Sequence, residues 1–377
     1  MYRVLVHGMT STKGGIESFI MNYYRRLNDK YVHFDFLCNG KNPYESEILD
    51  NNSKIFYLPT KTKHFVKYKK ELKKFFERHA DEYDCLWDNE STLANIDYLK
   101  LAKRYGIKRR IIHSHNSKNP YIGLKKIIAQ PLHIYNSHRI NMYATDFWGC
   151  SQTALNWFYP SKIESKAKVI PNAIDTQKFK YNLNDRENLR QRYQLSDKVV
   201  IGNVGRFIDQ KNQLFLIDLF YILQKDDPKL RLVLIGEGPY KDRILNKIQE
   251  LSLEKKVILP GLQSNMPAWY SAFDIFVLPS LFEGLSVAGL EAQATGIITL
   301  ISEEANPNEL KINQNLFSLS LNQNVNEWAK KVKYLLSRSK RLPHSIVTTN
   351  FKKKNYDLDV EAKKLNDLFL LQLDELK

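Results

Sequence analysis

The stretch DIFVLPSLFEGLSVAGLEAQATG, residues 274–296, carries the clearest structural signal in the sequence. It begins with a short apolar run that ends at Pro279-Ser280, a pattern typical of a buried strand. A loop with Glu283 follows, and a helix is predicted from about Ser286. A strand that leads through a loop into a helix is the repeating unit of a parallel, doubly wound sheet. We therefore expect one βα unit of an α/β domain here.

The same alternation of strands and helices extends in both directions. In the second half it predicts elements over residues 199–204, 212–223, 230–235, 240–251, 257–259, 267–272, 275–278, 289–294 and 297–301. The first half gives another series over residues 2–7, 17–27, 33–38, 55–58, 63–78, 83–87, 93–105 and 110–113. The fold class is therefore α/β, with two Rossmann-like doubly wound domains that face each other across a cleft.

The domain limits follow from one polar stretch, PSKIESKAK at residues 160–168, which has the composition of a linker. We expect an N-terminal domain over residues 1–165 and a C-terminal domain over residues 166–354. Residues 355–377 should form an amphipathic helix that packs back on the N-terminal domain. The chain length of 377 residues suits two domains of this size.

The charge is strongly asymmetric. The chain carries 57 Lys and Arg against 41 Asp and Glu, a net charge of +16. Residues 1–170 hold 28 basic and 16 acidic side chains, and residues 171–377 hold 29 and 25. Between Asp97 and Asp146 there are ten basic residues and no acidic one. This pattern indicates an anionic partner for the first half, which could be a nucleic acid, an anionic membrane or a phosphorylated small molecule.

The composition also excludes several classes of protein. An apolar fraction of 43% with 21 Tyr and 19 Phe can fill sizeable cores, which excludes a disordered chain. Cys38, Cys85 and Cys150 lie far apart, so a disulfide scaffold or a cysteine zinc site is disfavoured. No stretch approaches the ~20 apolar residues of a membrane span, and the first apolar run is too short for a signal peptide. We therefore expect a cytoplasmic protein.

Two motifs of the first half lie where predicted strands end. In GMTSTKGGIE, residues 8–17, the amides near Gly14 and Gly15 could bind an anion at a helix start, although an ordinary βα turn would look the same. In RIIHSHN, residues 110–116, His113 and His115 share one strand face and precede Asn116. They could hydrogen-bond a sugar hydroxyl or a phosphate, or simply be satisfied by neighbours. Without a third ligand they are weak evidence for a metal.

The second half holds two further motifs. Arg206 and Lys211 lie on the turn after strand 199–204, where two cations suit a diphosphate, or form a solvated basic loop. Glu283 and Glu291 lie eight residues apart, and a carboxylate can accept two hydrogen bonds from the diol of a ribose. The loop amides between the two glutamates could hold a phosphate, at Gly284, Leu285 and Ser286.

Together these motifs resemble the retaining glycosyltransferases of family 4, which have the GT-B fold. The resemblance is carried by Gly14-Gly15, by Arg206 with Lys211 and by Glu283-x7-Glu291. Residues 169–175, 232–239 and 260–280 also match the family pattern, and the HSHN segment is similar to the capsular and exopolysaccharide, EpsF-like members. The sequence departs at Ser286 and Ile298, where the family carries proline.

The resemblance implies a role for each of these positions. Arg206 and Lys211 would bind the donor diphosphate, Glu291 the ribose, and Glu283 the hydroxyls of the transferred sugar. Gly15 would let its loop approach the donor phosphates. His115 would be the active-site histidine, with His113 as its neighbour.

The implied enzyme transfers a hexose from a nucleotide sugar, UDP-linked in our expectation, to a lipid-linked saccharide with retention at the anomeric carbon. Neither a cofactor nor an obligatory metal is expected, because Arg206, Lys211 and helix N-termini can neutralise the diphosphate. The helix of residues 63–78 has seven basic and two acidic residues around an apolar stripe, which indicates contact with the inner face of an anionic membrane. A helix that buries this stripe on the sheet would show the same pattern. The oligomeric state stays open.

Two alternatives remain at this level. The same fold could carry a sugar-nucleotide epimerase or a phosphorylase, which would need no saccharide acceptor or would need inorganic phosphate. A basic module that binds membranes or nucleic acid is a minor alternative. The sequence lacks an aromatic RNP strand, a helix-turn-helix signal and a zinc finger, so we expect no nucleic-acid partner.

Overall fold

The computed structural model describes residues 1–377 apart from Thr12, Lys13, Lys30, Thr62, Lys63, Ile122, Gly284, Asn306, Leu376 and Lys377. The chain divides into two compact units. Unit 1 contains Met1–Ala173 and Leu358–Lys377, and unit 2 contains Ile174–Asp357. The division therefore falls after Ala173, later in the chain than the predicted boundary at residues 165/166.

Unit 1 is built on a parallel sheet with the strand order β3-β2-β1-β4-β5-β6-β7 among its described residues. The strands are β1 Tyr2–His7, β2 Val32–Asn39, β3 Ile55–Leu58, β4 Cys85–Glu90, β5 Arg109–Ser114, β6 Asp146–Gly149 and β7 Lys168–Val169. The helices are α1 Gly15–Leu27, α2 Glu45–Asp50, α3 Phe65–His79, α4 Asp97–Arg104, α5 Gly123–Arg139, α6 Gln152–Phe158, α7 Ser161–Glu164 and α16 Leu358–Glu375.

Unit 2 has the parallel order β10-β9-β8-β11-β12-β13. Its strands are β8 Val199–Val204, β9 Leu230–Ile235, β10 Val257–Gly261, β11 Ile275–Leu278, β12 Ile298–Ser302 and β13 Leu316–Leu319. Its helices are α8 Leu183–Arg192, α9 Gln213–Asp226, α10 Lys241–Glu250, α11 Met266–Ala272, α12 Val287–Ala294, α13 Pro307–Leu310, α14 Val325–Arg338 and α15 His344–Lys353. The α/β, doubly wound fold class is thereby confirmed.

In each sheet the strand order reverses beside the first strand of the unit. β1 lies between β2 and β4, and β8 lies between β9 and β11. Ligands of doubly wound sheets bind beyond the carboxyl ends of the strands at this point. The loops that follow β1, β4, β8 and β11 are therefore the places to look for a site.

The stretch read as a linker belongs instead to unit 1. Residues 160–168 contain α7, and β7 at their end pairs with β6 in parallel, Trp148 opposite Lys168. Ile163 packs its side chain into the core of the unit. Polar composition was misleading here because an edge strand and a short surface helix expose most of their side chains.

The C-terminal helix α16 packs on unit 1, where it contacts α1, β1 and β2. Its Phe369 is fully buried against Trp87, Trp148 and Phe34, with ring centroids 5.9, 5.8 and 5.8 Å away. The backbone carbonyl of Leu368 accepts a hydrogen bond from the Arg109 guanidinium at 2.8 Å. The last segment of the chain is therefore part of the first core.

Phe369→Ala should remove this anchor. We expect it to lower the free energy of unfolding of unit 1 by about 3–5 kcal/mol, because an aromatic side chain leaves a cavity in a packed core. Thermal or urea unfolding measures the change. Val360→Ala, on the same helix but partly exposed, is the control and should change stability by less than about 0.5 kcal/mol. Equal losses in the two variants would contradict the anchoring role of Phe369.

Candidate active site

The turn after β8 in unit 2 is held against the turn after β9 by backbone contacts. Phe207 N–H donates to the Glu237 carbonyl at 2.9 Å, and Tyr240 N–H donates to the Phe207 carbonyl at 3.0 Å. Gly236 has φ +149°, and a Cβ there would lie 2.0 Å from the Gly205 carbonyl oxygen. Only glycine allows the two turns to approach this closely. The turn that carries Arg206 and Lys211 is therefore fixed by its neighbour.

The structure brings Lys211 and Glu283 together. The Lys211 Nζ atom lies 2.5 Å from Glu283 Oε1, and both side chains are largely buried. Next to them, Leu281 N–H donates to the Gln210 carbonyl at 2.8 Å, and the Gln210 amide donates to the Phe282 carbonyl at 3.0 Å. Hydrogen bonds thus join the loops after β8 and β11 at the carboxyl edge of the sheet. The bridging role of Gln210 left no signal in the sequence.

Arg206 lies on the same turn but differs from Lys211 in its surroundings. Its side chain is exposed, and among the residues that the structure describes its guanidinium has no carboxylate partner. Its backbone carbonyl accepts from the Gln213 amide at 3.1 Å, which fixes the turn. The site therefore offers one cation that is already paired and one that faces solvent.

The start of α12 follows the loop whose amides are expected to hold a phosphate. The Ser286 hydroxyl accepts a hydrogen bond from the Gly289 N–H at 3.3 Å and so caps the helix. Leu285 is buried. Gly284, the third predicted member of this loop, lies outside the described residues. The serine at this departure from the family pattern thus supplies an ordinary helix N-cap.

Glu291 lies on α12 and is held by a residue that the sequence did not single out. Tyr270 on α11, itself fully buried, donates its hydroxyl proton to Glu291 Oε2 at 2.9 Å. Burial raises the pKa of Glu291 to about 7, although the Tyr270 hydrogen bond and the charge of Lys178 act in the opposite direction. The carboxylate is therefore poised to change its protonation near neutral pH.

In unit 1 the glycine loop after β1 already holds an anion, the side chain of Glu17. Glu17 Oε2 accepts from the Gly14 N–H at 3.0 Å, and Oε1 accepts from the Thr10 N–H at 3.1 Å and from its hydroxyl at 2.5 Å. A Cβ at Gly14 would lie 2.7 Å from Glu17 Oε2. Gly15 opens α1, where backbone N–H groups lack intrahelical acceptors. The Gly14 N–H therefore already donates to a side chain of the protein. The predicted anion site is accordingly placed at the helix start, at Gly15.

The geometry assigns the tautomer of His115. Asn89 donates its amide protons to the carbonyls of His7 and Trp87, at 3.1 and 3.3 Å, so its Oδ1 must accept. His115 Nε2 lies 2.9 Å from that oxygen and therefore carries the proton, which leaves Nδ1 as an acceptor. Burial lowers the pKa of His115 to about 3. The imidazole is thus neutral at neutral pH, suited to hydrogen bonding but not to holding a positive charge.

His113 lies directly beside it, with the two imidazole rings stacked at 4.4 Å. The Trp87 indole N–H donates to His113 Nδ1 at 3.4 Å, so the proton of the neutral ring sits on Nε2. That Nε2 is buried and has no hydrogen-bond partner among the described residues. Asn116 follows β5, and its carbonyl accepts from the Ser114 hydroxyl at 3.4 Å.

A cluster at the ends of β1 and β4 escaped the sequence analysis. His7 Nδ1 lies 2.7 Å from Asp88 Oδ1 and 3.7 Å from Glu90 Oε1, and within the described part of the chain these three residues alone have the spacing to hold a metal ion. Burial, and next the charge of Asp88, raise the pKa of Glu90, while Lys61 opposes the shift. The sequence prediction of β4 ended at Trp87 because polar residues follow it, although β4 continues to Glu90.

Comparisons with known proteins agree with this architecture. The family model of the glycosyl transferases group 1 matches residues 185–353. The chain is 29% identical to the glycosyltransferase EpsF of Bacillus subtilis, over 85% of this chain and 84% of that protein. It is 25% identical to the capsular polysaccharide biosynthesis glycosyltransferase CapH of Staphylococcus aureus, over 95% and 96%.

Two further comparisons bear on donor and fold. The UDP-Gal:α-D-GlcNAc-diphosphoundecaprenol α-1,3-galactosyltransferase of Escherichia coli is 25% identical over 76% of each chain. The structure of Anabaena HepE in complex with UDP-glucose has a TM-score of 0.81 at 16% identity and covers 100% of both chains. At that identity the likeness concerns the fold, which is GT-B. Residues 185–353 thus match the group 1 glycosyltransferases, and over most of its length the chain is similar to the family 4, EpsF-like proteins.

The protonation of Glu291 should control donor affinity if its carboxylate accepts hydroxyl protons of the donor. The raised pKa means that the ionised form dominates above about 7 and is lost as the pH falls. Affinity for a nucleotide sugar, measured by calorimetry, should drop about tenfold per pH unit below 7. Glu291→Gln should bind weakly with no such dependence. Tyr270→Phe should shift the midpoint to higher pH, and an unshifted midpoint in Tyr270→Phe would contradict the assignment.

The Lys211–Glu283 pair allows a double-mutant test of function against stability. Lys211→Ala and Glu283→Ala should each destabilise unit 2 by about 3–5 kcal/mol, because each removes one partner of a largely buried ion pair. The double variant should regain most of that stability and still lose about 100-fold or more in kcat/KM. Thermal unfolding and transfer assays measure the two effects. A double variant that regains both stability and transfer would make the pair purely structural.

Proposed function

We propose that the protein is a retaining hexosyltransferase that uses a nucleotide sugar, UDP-linked, and a lipid-linked saccharide acceptor in capsular or exopolysaccharide biosynthesis. The Lys211–Glu283 pair carries the proposal, since a cation and a carboxylate are held together at the carboxyl edge of unit 2. This edge is where doubly wound sheets bind ligands. The donor nucleotide is proposed from the UDP named in the HepE structures and in the E. coli relative.

Unit 2 would bind the donor through charges of both signs. Arg206, which is exposed, and Lys211 would neutralise the diphosphate as charge grows on the leaving group. The Glu283 carboxylate, which Lys211 contacts at Oε1, would accept hydrogen bonds from the hydroxyls of the sugar. The Glu291 carboxylate, positioned by Tyr270, would accept both hydrogen bonds of the ribose diol.

Unit 1 would receive the acceptor and contribute a neutral active-site histidine. The His115 Nδ1 atom is an acceptor for a hydroxyl proton, because Asn89 occupies the other side of the ring. The buried Nε2–H of His113 is a donor that a ligand oxygen or a water molecule would satisfy. A lipid-linked acceptor is proposed from the diphosphoundecaprenol substrate named for the E. coli relative.

Transfer would need no metal ion at the diphosphate. Arg206 and Lys211 supply the positive charge that Mg²⁺ supplies in other transferases. The His7–Asp88–Glu90 cluster could hold a metal, but Lys61 already places a positive charge near Glu90. We therefore propose that transfer is independent of a metal ion. We also propose that the enzyme works at the inner face of the cell membrane. The helices of the described chain include none long and apolar enough to cross a membrane.

The decisive assay is the release of UDP from UDP-hexoses with and without a lipid-diphosphate-linked saccharide. We expect release that depends on the acceptor, persists in excess EDTA and gives a product with the anomeric configuration of the donor by NMR. Conversion of the donor without an acceptor would favour an epimerase. Turnover that requires inorganic phosphate would favour a phosphorylase. Loss of turnover in EDTA that Mn²⁺ or Mg²⁺ restores would contradict metal independence.

A further inference from the structure

Helix α5, Gly123–Arg139, has its polarity reversed relative to an ordinary helix of this fold. Its inward face is small or polar and consists of Ala129, His133, Asn136 and Ser137. Several large apolar side chains are exposed, with Leu124 79%, Ile127 68% and Ile128 65% exposed. A helix that buries its polar side leaves an apolar stripe, which the described residues of its own unit do not cover.

The inward face is fixed by specific hydrogen bonds, so the orientation of the helix is determined. The Asn136 amide donates to the Leu93 carbonyl at 2.6 Å. The Leu93 N–H donates to His133 Nδ1 at 3.0 Å, and the His133 ring stacks on Trp157 at 4.3 Å. Rotating the helix to bury its isoleucines would break these buried bonds, at a cost of about 1–3 kcal/mol each.

The apolar stripe lies within the acid-free segment of the sequence. Lys125 and Lys126 are exposed and follow Leu124 in the chain, and Lys118 precedes the helix. At about 100° per residue, Lys125 lies at the border of the apolar stripe and Lys126 on the opposite side of the helix. No acidic residue occurs between Asp97 and Asp146. Exposed apolar side chains flanked by lysines match a surface with an apolar interior and anionic headgroups.

We propose that α5 is the element that docks unit 1 on an anionic lipid bilayer, with Leu124, Ile127 and Ile128 inserted at the headgroup boundary, Lys125 on the headgroups and Lys126 adding to the positive charge near them. This inference rests on the proposed work of the enzyme at a membrane. Helix α3, which the sequence favoured for this role, buries its apolar stripe of Tyr68, Leu72, Phe75 and Phe76 in the core.

The charge pattern favours a bilayer over a second copy of the chain. A symmetric pair formed through α5 would bring Lys125 and Lys126 near the same residues of its partner, with no acidic residue of the segment to compensate. The exposed end of α3, Phe65 and Val66, is the competing membrane contact in unit 1, because both side chains are exposed beside basic residues. It supplies a matched control.

The test measures binding of the full chain to sedimented vesicles of phosphatidylcholine alone and of equal parts phosphatidylcholine and phosphatidylglycerol. The wild type should bind the anionic vesicles and bind neutral ones far less. Ile127→Ser/Ile128→Ser should weaken binding about tenfold or more, since apolar area no longer enters the lipid. Lys125→Glu/Lys126→Glu should weaken it about 30-fold or more.

Matched variants on α3 complete the design. Phe65→Ser/Val66→Ser and Lys70→Glu/Lys73→Glu change the same residue classes at exposed positions and should leave vesicle binding within about twofold. The α5 variants should keep wild-type unfolding temperatures, because the changed side chains are exposed. They should also keep normal transfer to a water-soluble saccharide acceptor, so a failure of docking is distinct from a failure of catalysis.

Three outcomes would overturn the inference. The first is loss of vesicle binding in the α3 variants but not in the α5 variants. The second is equal binding of the wild type to neutral and anionic vesicles. The third is a wild-type dimer in light scattering that Ile127→Ser/Ile128→Ser makes monomeric while vesicle binding is unchanged, since α5 would then be an interface between copies.

Discussion

The parallel pairing of every strand in both sheets is the constraint on which the rest of the molecule depends. A parallel strand can be followed by its neighbour only after a crossover, so each unit places its strand-to-helix loops at one edge. Lys211 and Glu283 meet although they are 72 residues apart in sequence, because β8 and β11 are neighbours in the sheet. Asn89 and His115 meet for the same reason, at the ends of β4 and β5.

This arrangement buries polar groups, and each must then find a partner. Glu17 accepts hydrogen bonds from amides of the glycine loop. Asn89 donates to two carbonyls and accepts from the His115 ring, and Tyr270 donates to Glu291. A hydrogen bond lost from such a buried set costs about 1–3 kcal/mol. The partners thereby set the chemical state of the site, with His115 neutral and Glu291 near its midpoint at neutral pH.

The sequence predicted the fold class and much of the strand pattern, because apolar runs such as VLVH and IFVL are buried on both faces of a parallel sheet. The sequence-based prediction was wrong where polar residues form part of a strand. β4 continues through Asp88 to Glu90 because strand ends at the binding edge carry polar groups, and β7 was mistaken for a linker. Lys211 and Glu283 were both singled out, yet their contact follows from sheet order. Tyr270 lies in a segment without a motif, and Gln210 lies between the two cations with no signal of its own.

Helix α5 is the converse case, because its apolar residues are exposed. The sequence analysis predicted no element over its residues, and its two lysines entered only as part of the acid-free segment. In the structure Asn136 and His133 face inward, and the isoleucines therefore face outward. For membrane binding, the position of positive charge near exposed isoleucines therefore matters more than the total net charge of +16. Charge attracts an anionic bilayer over about a Debye length, whereas apolar contact acts only at the surface, so a helix that presents both can bind reversibly without an anchor.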